Sequence, residues 1–142
     1  SIIGHGVAQG GTYTNNKPGI AGAWATLKML KEKPILKSIQ ERGSRLMAGI
    51  DQILTEEGLV HCLNGYPAMF TYAIGAEKIT SQREWNQTDH QLYLDIIDAL
   101  IDRGVMPDHD AREPWFLCYA HGDKDIDDTL TAFRESVKAC KK

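Results

Sequence analysis

Apolar residues recur with helical spacing in four separate stretches of the chain. The stretches cover residues 18–32, 35–57, 89–102 and 123–139, and within each of them apolar residues stand three or four positions apart. This spacing places them on one side of an α-helix, with charged residues on the other side. Pro34 separates the first two stretches, and Gly58 and Gly104 follow the second and third as helix-ending residues. The pattern therefore predicts four amphipathic helices.

Two shorter stretches have the pattern of β-strands. Residues 59–63 are mostly apolar, residues 69–74 are rich in β-branched and aromatic residues, and the turn-forming sequence Asn64-Gly65-Tyr66-Pro67 lies between them. They predict an antiparallel hairpin whose turn is Asn64-Gly65-Tyr66-Pro67, in which Asn-Gly is favourable hairpin chemistry. Further elements expected from the sequence are a short strand at 105–107, a buried strand at 115–120 and a polar, irregular loop at 75–88. We expect an α+β fold, in which a small antiparallel sheet is packed with helices.

The first predicted helix is preceded by a glycine-rich turn, Gly10-Gly11-Thr12-Tyr13. Glycine permits backbone conformations that other residues avoid, Thr12 offers a hydroxyl, and the first turn of a helix has free N–H groups. Together these groups bind anions, and phosphate is the usual anion. The same residues also fit an ordinary tight turn before a helix, so the turn alone leaves both interpretations open.

Composition and charge exclude several classes of protein. The 142 residues are 42% hydrophobic and 25% charged, which is the composition of an ordinary globular chain. With 16 basic and 19 acidic residues, the net charge of −3 offers no general attraction to nucleic acid or to an anionic membrane. Cys62, Cys118 and Cys140 are odd in number and widely spaced. Their spacing argues against a disulfide framework or a zinc site, and it favours the reducing cytoplasm.

A run of acids near the C-terminus imitates a calcium loop. Asp123, Asp125 and Asp127 have the calcium-loop spacing, but the sixth and twelfth positions hold Asp128 and Arg134 instead of glycine and glutamate. We interpret these acids as favourable partners of a helix N-terminus.

Two further groups suggest chemistry that their spacing does not support. Asp108-His109-Asp110 could indicate a metal, although adjacent loop residues rarely converge on one ion. Cys118 and His121 would lie on opposite faces of a strand, which disfavours a Cys–His nucleophile pair. We therefore expect no metal site and no catalytic residue in this chain.

Both ends of the chain resemble one enzyme family. The glycine-glycine-threonine-aromatic turn and its helix are similar to those of the class III aminotransferases, which are fold type I, pyridoxal phosphate (PLP) enzymes and include the glutamate-1-semialdehyde aminomutases. The sequences Gly104-Val105-Met106-Pro107 and Trp115-Phe116-Leu117-Cys118-Tyr119-Ala120-His121, followed by the acid-led helix, resemble the closing segment of that family. This resemblance favours the phosphate-binding interpretation of the turn.

The resemblance implies a domain assignment and an incomplete active site. Residues 1–33 would be the end of the large PLP-binding domain, including its last helix, and residues 34–142 the small C-terminal α/β domain. In this family, the lysine that carries the cofactor precedes the glycine-rich turn, so we expect the isolated chain to be inactive. The complete enzyme would move an amino group to or from an amino acid or amine. We expect it to be a cytoplasmic homodimer.

The resemblance also implies roles for three residues. Gly11 and Thr12 would contact the cofactor phosphate of the neighbouring subunit, with the glycine clearing room for it. Arg112 would hold a substrate carboxylate through its planar guanidinium. The alternative for Arg112 is a surface arginine paired with Asp110 or Glu113.

A second interpretation of the whole chain remains open at this point. The chain could be a freestanding α+β binding or interaction module that has no enzymatic activity. The first helix distinguishes the two interpretations, because a segment taken from a larger enzyme would expose apolar residues around Trp24 that an independent module would bury.

Overall fold

The structure is a computed structural model, and it describes residues 10–141. These residues form two compact units, one extending to Ile35 and the other from Leu36 onward. The predicted assignment of a large-domain end and a small domain to the two parts of the chain stays a prediction, and its first nine residues lie outside the described range.

The first unit consists of a turn and one helix. Residues Thr12–Asn15 form the turn, in which the N–H of Thr14 donates to the carbonyl of Gly11 at 3.0 Å. Helix α1 spans Lys17–Glu32 and begins one residue before Pro18, a position at which proline costs no helical hydrogen bond. No residue of α1 is buried.

The second unit contains the remaining elements. In chain order they are α2 (Ile35–Glu56), β1 (His61–Tyr66), β2 (Met69–Ile74), α3 (Gln82–Trp85), α4 (His90–Ile101), β3 (Trp115–Phe116) and α5 (Asp123–Cys140). The predicted helices are confirmed within two residues at their ends. The predicted α+β class is confirmed as well.

Helices α2 and α4 end in the same way. Gly58 and Gly104 have φ values of 69° and 82°, a conformation that glycine adopts without steric cost. The residue after each glycine donates back into its helix: Leu59 to the carbonyl of Leu54, and Val105 to that of Leu100, each at 3.0 Å. Both ends are Schellman motifs, as the two glycines predicted.

The sheet has the order β1-β2-β3 and is antiparallel throughout. Tyr66 pairs with Met69, so the hairpin turn lies at Pro67 and Ala68. The predicted turn, Asn64-Gly65-Tyr66-Pro67, begins three residues too early, because Asn64, Gly65 and Tyr66 pair within β1. Pro67, which cannot donate a ladder hydrogen bond, stays in the turn.

Two predicted strands and one predicted loop also need correction. Residues 105–107 form no strand, because the N–H of Val105 already closes α4. The strand predicted for 115–120 is shortened to Trp115 and Phe116, after which a turn follows. The predicted loop at 75–88 contains α3, which begins with a capping box between Ser81 and Glu84.

The core lies between the sheet and helices α2, α4 and α5. Tyr72 is at its centre, with ring centroids 5.0 Å from Tyr93, 5.8 Å from Trp115 and 5.4 Å from Phe133. The last two pairs are edge-to-face, which is a favoured aromatic geometry. The aliphatic members of the core are Leu46, Ile50, Ile53, Leu54, Ile74, Ile96, Ile97, Leu100, Ile126 and Val137.

One glycine brings α2 against the hairpin turn. A Cβ atom on Gly43 would lie 1.9 Å from the carbonyl oxygen of Pro67. Real Cβ atoms never approach a backbone oxygen that closely, so this position requires glycine. The contact places the hairpin directly on the helix.

Candidate functional site

The glycine-rich turn presents hydrogen-bond donors to solvent. Thr12 follows Gly11 at the start of the turn, and both residues are exposed. Asn15 has a φ of 65°, a left-handed conformation that asparagine tolerates. This residue turns the chain into the N-cap of α1 at Asn16.

The first turn of α1 has N–H groups at Lys17 and Gly19, whereas Pro18 has none. The side chain of Asn16 makes no capping hydrogen bond, and the first turn contains no acid. Lys17 adds a positive charge at the helix start. The hydroxyl of Thr12 has no hydrogen-bond partner among residues 10–141. This set of donors, with no carboxylate beside it, fits a phosphate group.

The glycines of the turn leave open space around the backbone. A Cβ atom on Gly10 would meet nothing within 4 Å, and one on Gly11 would meet only the Thr14 hydroxyl oxygen, at 3.5 Å. Within the described residues, neither glycine is therefore required by packing. Space for a ligand would explain why both positions are glycine, and it agrees with the hydrogen-bond donors around them.

The second candidate residue, Arg112, binds a carboxylate of its own chain. Its Nε donates to the two carboxylate oxygens of Asp110 at 2.9 and 3.1 Å, and its Nη2 donates to Oδ2 of the same residue. The ion pair with Asp110, which the sequence left open as an alternative for Arg112, is therefore present. The arginine side chain is 64% exposed.

This pairing changes the titration of both groups. The hydrogen bonds from the Arg112 side chain and backbone lower the pKa of Asp110 from 3.8 to about 2. In return, the carboxylate raises the pKa of Arg112. The pair is therefore ionised at every pH at which the protein is expected to function.

An aromatic side chain lies against the arginine. The guanidinium carbon of Arg112 is 6.0 Å from the ring centre of Trp85, at the outer limit of a cation–π contact. Trp85 is the last residue of α3, and its ring also contacts that of His90, with centroids 4.0 Å apart and the ring planes inclined by 43°. Sequence analysis did not identify Trp85, although the Ser81-x-x-Glu84 capping signal could have revealed the helix that carries it.

The loop that carries Arg112 is attached to the sheet and to α4. Thr71 of β2 donates to the carbonyl of Ala111 at 3.3 Å, and Tyr93 of α4 donates to the carbonyl of Asp108 at 3.4 Å. His109 also contacts Asp98 of α4, with Nε2 2.8 Å from Oδ1. The backbone beside Arg112 is thus held from two sides.

The two candidate sites lie in different units of the structure, Thr12 in the first and Arg112 in the second. Beside Arg112 lies a cavity of about 330 Å³, whose polar lining includes Asn64, Thr71 and Thr80. Another cavity, of about 450 Å³, also borders Trp85 and is lined by Asp110. Arg112 therefore borders a space large enough for a small ligand.

The acids that imitate a calcium loop have other partners. Asp123 contacts Arg42 at 3.4 Å, and Asp127 pairs with Arg45, so both link α5 to α2. Asp125 accepts a hydrogen bond from the N–H of Gly122 at 2.6 Å. Among the residues that the structure describes, no three His, Cys, Asp or Glu side chains are arranged to hold a metal ion.

Cys118 and His121 are closer than the sequence indicated. They lie in a turn, not in a strand, and Nδ1 of His121 accepts a hydrogen bond from the backbone N–H of Cys118 at 3.0 Å. The predicted placement on opposite strand faces is wrong, because β3 ends at Phe116. The bond joins the ring to the backbone, so it does not activate the thiol.

Curated relatives match nearly the whole chain. Glutamate-1-semialdehyde 2,1-aminomutase of Aquifex aeolicus is 32% identical over 132 residues, which are 93% of this chain and 31% of that enzyme. The aminomutase of Thermoplasma acidophilum is 36% identical over 131 residues, or 92% of this chain and 31% of its own length. The chain therefore spans about a third of the length of these relatives. No family model matches it.

Solved structures match the fold. The PLP internal aldimine form of the FumI protein from Sphingopyxis sp. MTA144 superposes with a TM-score of 0.70 at 24% identity, covering 84% of this chain and 26% of that protein. This agreement includes the antiparallel sheet and its helices, which are the C-terminal part of fold type I PLP aminotransferases.

The chain is related to the C-terminal part of PLP-dependent aminotransferases and aminomutases. The fold and the resemblance expected from the sequence are thereby confirmed. PLP is the cofactor of the solved neighbour, as its description states. In the described part of the chain, no helix combines the length and apolarity needed to cross a bilayer.

Proposed function

We propose that this chain is the C-terminal segment of a class III, PLP-dependent aminotransferase or aminomutase. The complete enzyme moves an amino group to or from an amino acid or amine, with PLP as the electron sink for that chemistry when it is bound. The observation that supports this proposal best is the match to aminomutases over more than nine-tenths of the chain but only 31% of the relatives.

Within this proposal, the two candidate residues bind different groups: one binds the cofactor and the other binds the substrate. Thr12 donates its hydroxyl to the cofactor phosphate of the neighbouring subunit, and Gly11 leaves room for that phosphate. Arg112 holds a substrate carboxylate, which its planar, permanently charged guanidinium suits. The residues of this chain bind and orient the cofactor phosphate and the substrate carboxylate. The lysine that carries the cofactor belongs to the preceding part of the enzyme. The isolated segment is therefore inactive.

The exposed face of α1 supports a segment of a larger protein. Trp24 and Leu27 are 71% and 64% exposed, and Ile20 is 58% exposed. Three large apolar side chains at helical spacing on one surface indicate a missing partner. In the proposed enzyme that partner is the large domain, and the assembled molecule is a cytoplasmic homodimer.

The first experiment is a titration of this chain with PLP, followed by absorbance, borohydride reduction and mass mapping. We expect no specific adduct and only weak binding that inorganic phosphate competes away. A stoichiometric adduct on one lysine, such as Lys17, would show that the chain builds its own cofactor site. A chain that also stays monomeric at high concentration would favour the freestanding binding module.

The phosphate contact is tested in the complete enzyme by Thr12→Val. Losing a charge-assisted hydrogen bond of about 1.5–3 kcal/mol weakens PLP binding by roughly 10- to 150-fold. Thr14→Val is the matched control, because it removes a hydroxyl from the same turn and leaves PLP affinity unchanged. Equal PLP affinity in wild type and Thr12→Val would contradict the role of Thr12.

A further inference from the structure

The hydrogen bonds between Arg112 and Asp110 use only one edge of the guanidinium. That edge consists of Nε and Nη2, which form the side-on fork of the group. A guanidinium has five N–H donors in a fixed plane. The other fork, made by Nη1 and the second proton of Nη2, has no acceptor among residues 10–141.

The carboxylate of Asp110 is fixed by the loop itself. Its Oδ1 accepts a hydrogen bond from the backbone N–H of Arg112 at 2.9 Å. The backbone N–H of Asp110 donates to Asp108 Oδ1 at 2.8 Å, and its carbonyl accepts from the N–H of Glu113 at 2.9 Å. These hydrogen bonds fix Asp110, and Asp110 in turn holds the long side chain of Arg112 in place.

We propose that Asp110 is a positioning residue that keeps the side-on fork of Arg112 while the free fork binds the substrate carboxylate, so that both carboxylates contact the arginine at once. This inference rests on the proposed role of Arg112 and names how that role is carried out. It differs from a mechanism in which the substrate displaces Asp110. Trp85 supports the arrangement, since its ring lies beside the guanidinium and limits the directions in which the group can turn.

The physical reason is the cost of ordering an exposed arginine. An arginine that moves freely loses rotamer entropy when it binds a ligand, and an arginine that is already held loses less. Two carboxylates on one arginine repel each other, but solvent and salt screen this repulsion at an exposed site. We expect the ordering effect to exceed it, so removing Asp110 weakens carboxylate binding at Arg112, by about twofold to tenfold. If Asp110 were a competitor instead, its removal would strengthen that binding.

The test uses the whole 142-residue chain, with propionate as the probe at pH 6. Arginine side-chain N–H signals and the Asp110 carboxyl carbon are followed by NMR as propionate is added. We expect the signals of the Arg112 Nη protons to shift. The Nε proton and the Asp110 carboxyl carbon should keep the chemical shifts that they have while Arg112 and Asp110 are hydrogen-bonded. The response to propionate should fall in the order wild type, Asp110→Asn, Asp110→Ala, because asparagine retains one acceptor oxygen.

Two further variants control the measurement. Arg112→Lys assigns the signals, because the Arg112 resonances should vanish from its spectrum while those of the other arginines remain. Asp128→Asn should leave it unchanged, because this variant removes a carboxylate from another exposed ion pair, with Lys124. A loss of folding would change the whole spectrum, so the local signals separate positioning from stability.

The outcomes distinguish this inference from the proposed function. Movement of the Nε proton and of the Asp110 carboxyl signal to their unpaired positions would overturn simultaneous binding and leave Arg112 as the carboxylate ligand. A stronger response in Asp110→Ala would do the same. A wild-type chain in which propionate moves no Arg112 signal would overturn the inference together with the substrate role of Arg112, and would leave the PLP titration as the test of the enzyme family.

Discussion

Helices α1 and α4 have the same kind of amphipathic sequence and opposite surroundings. In α4, Tyr93, Ile96 and Ile97 are at most 1% exposed, whereas in α1 Trp24 is 71% exposed. Periodic spacing determines which side of a helix is apolar, and it predicted both helices equally well. Whether that side is buried depends on a partner surface, about which the spacing carries no information.

The difference has an energetic consequence. Burying a large apolar side chain contributes about 1.5–3 kcal/mol, and α4 gains this several times over. Helix α1 has 16 residues, and isolated helices of roughly 12–15 residues are only marginally stable in water. We therefore expect α1 to depend on a partner for most of its stability, and the second unit to depend on its own core.

The sharpest test of this contrast removes one aromatic side chain from each region. Phe133→Ala should destabilise the chain by about 3–5 kcal/mol, because Phe133 is fully buried and contacts the rings of Tyr72 and Trp115. Trp24→Ala should change the stability by less than about 0.5 kcal/mol, since the side chain is largely exposed. Urea unfolding followed by circular dichroism measures both. Similar losses from the two variants would mean that α1 is buried in solution.

Two glycine-to-alanine substitutions should change the stability by smaller amounts and in opposite directions. Gly43→Ala should cost about 1–3 kcal/mol, because the new methyl group collides with the carbonyl of Pro67. Gly22→Ala lies within α1, where a Cβ atom meets nothing within 4 Å, and should favour the helix by up to about 1 kcal/mol. Thermal melts of both variants and the helical content of the chain provide the measurements. A destabilising Gly22→Ala would indicate a close neighbour of α1.

The smallest expected effect is the change of stability with pH. The pKa of Asp110 falls from 3.8 to about 2 in the folded chain, so its contribution to stability is complete above about pH 4 and is lost as the pH falls toward 2. Arg112→Ala should return the pKa of Asp110 toward 3.8, as followed by NMR of its carboxyl carbon. The exposed pair Lys124–Asp128 serves for comparison, since Asp128 raises the pKa of Lys124 and Arg112→Ala should leave that pKa unchanged. A low Asp110 pKa that persists without Arg112 would assign the shift to the loop backbone.

Local sequence signals predicted most of this fold, and they failed where tertiary pairing decides. The helix ends at Gly58 and Gly104 follow from glycine alone, and the structure has them as expected. The hairpin turn lies at Pro67-Ala68 and not at residues 64–67 as predicted, because the register depends on strand partners as well as on turn propensity. Helix α3 was missed although its Ser81-x-x-Glu84 signal was present, since four residues are too few for a periodic pattern.

The candidate sites were predictable to different degrees. Gly11 and Thr12 could be selected from sequence, because the turn and the helix start are local features. The bond between Arg112 and Asp110 was an open alternative, since two residues in one loop can pair or point apart. The position of Trp85 beside Arg112 was beyond sequence reasoning, because it requires α3 to lie next to a loop more than twenty residues later. The roles of all these residues stay predictions.

The strand order β1-β2-β3 also sets the shortest piece of this chain that can fold by itself. Strands β2 and β3 are neighbours in the sheet but are separated in the chain by α3 and α4. A fragment that stops before Trp115 would lose both the third strand and α5, which packs against α4. We therefore expect the second unit to complete its core only when α5 is present.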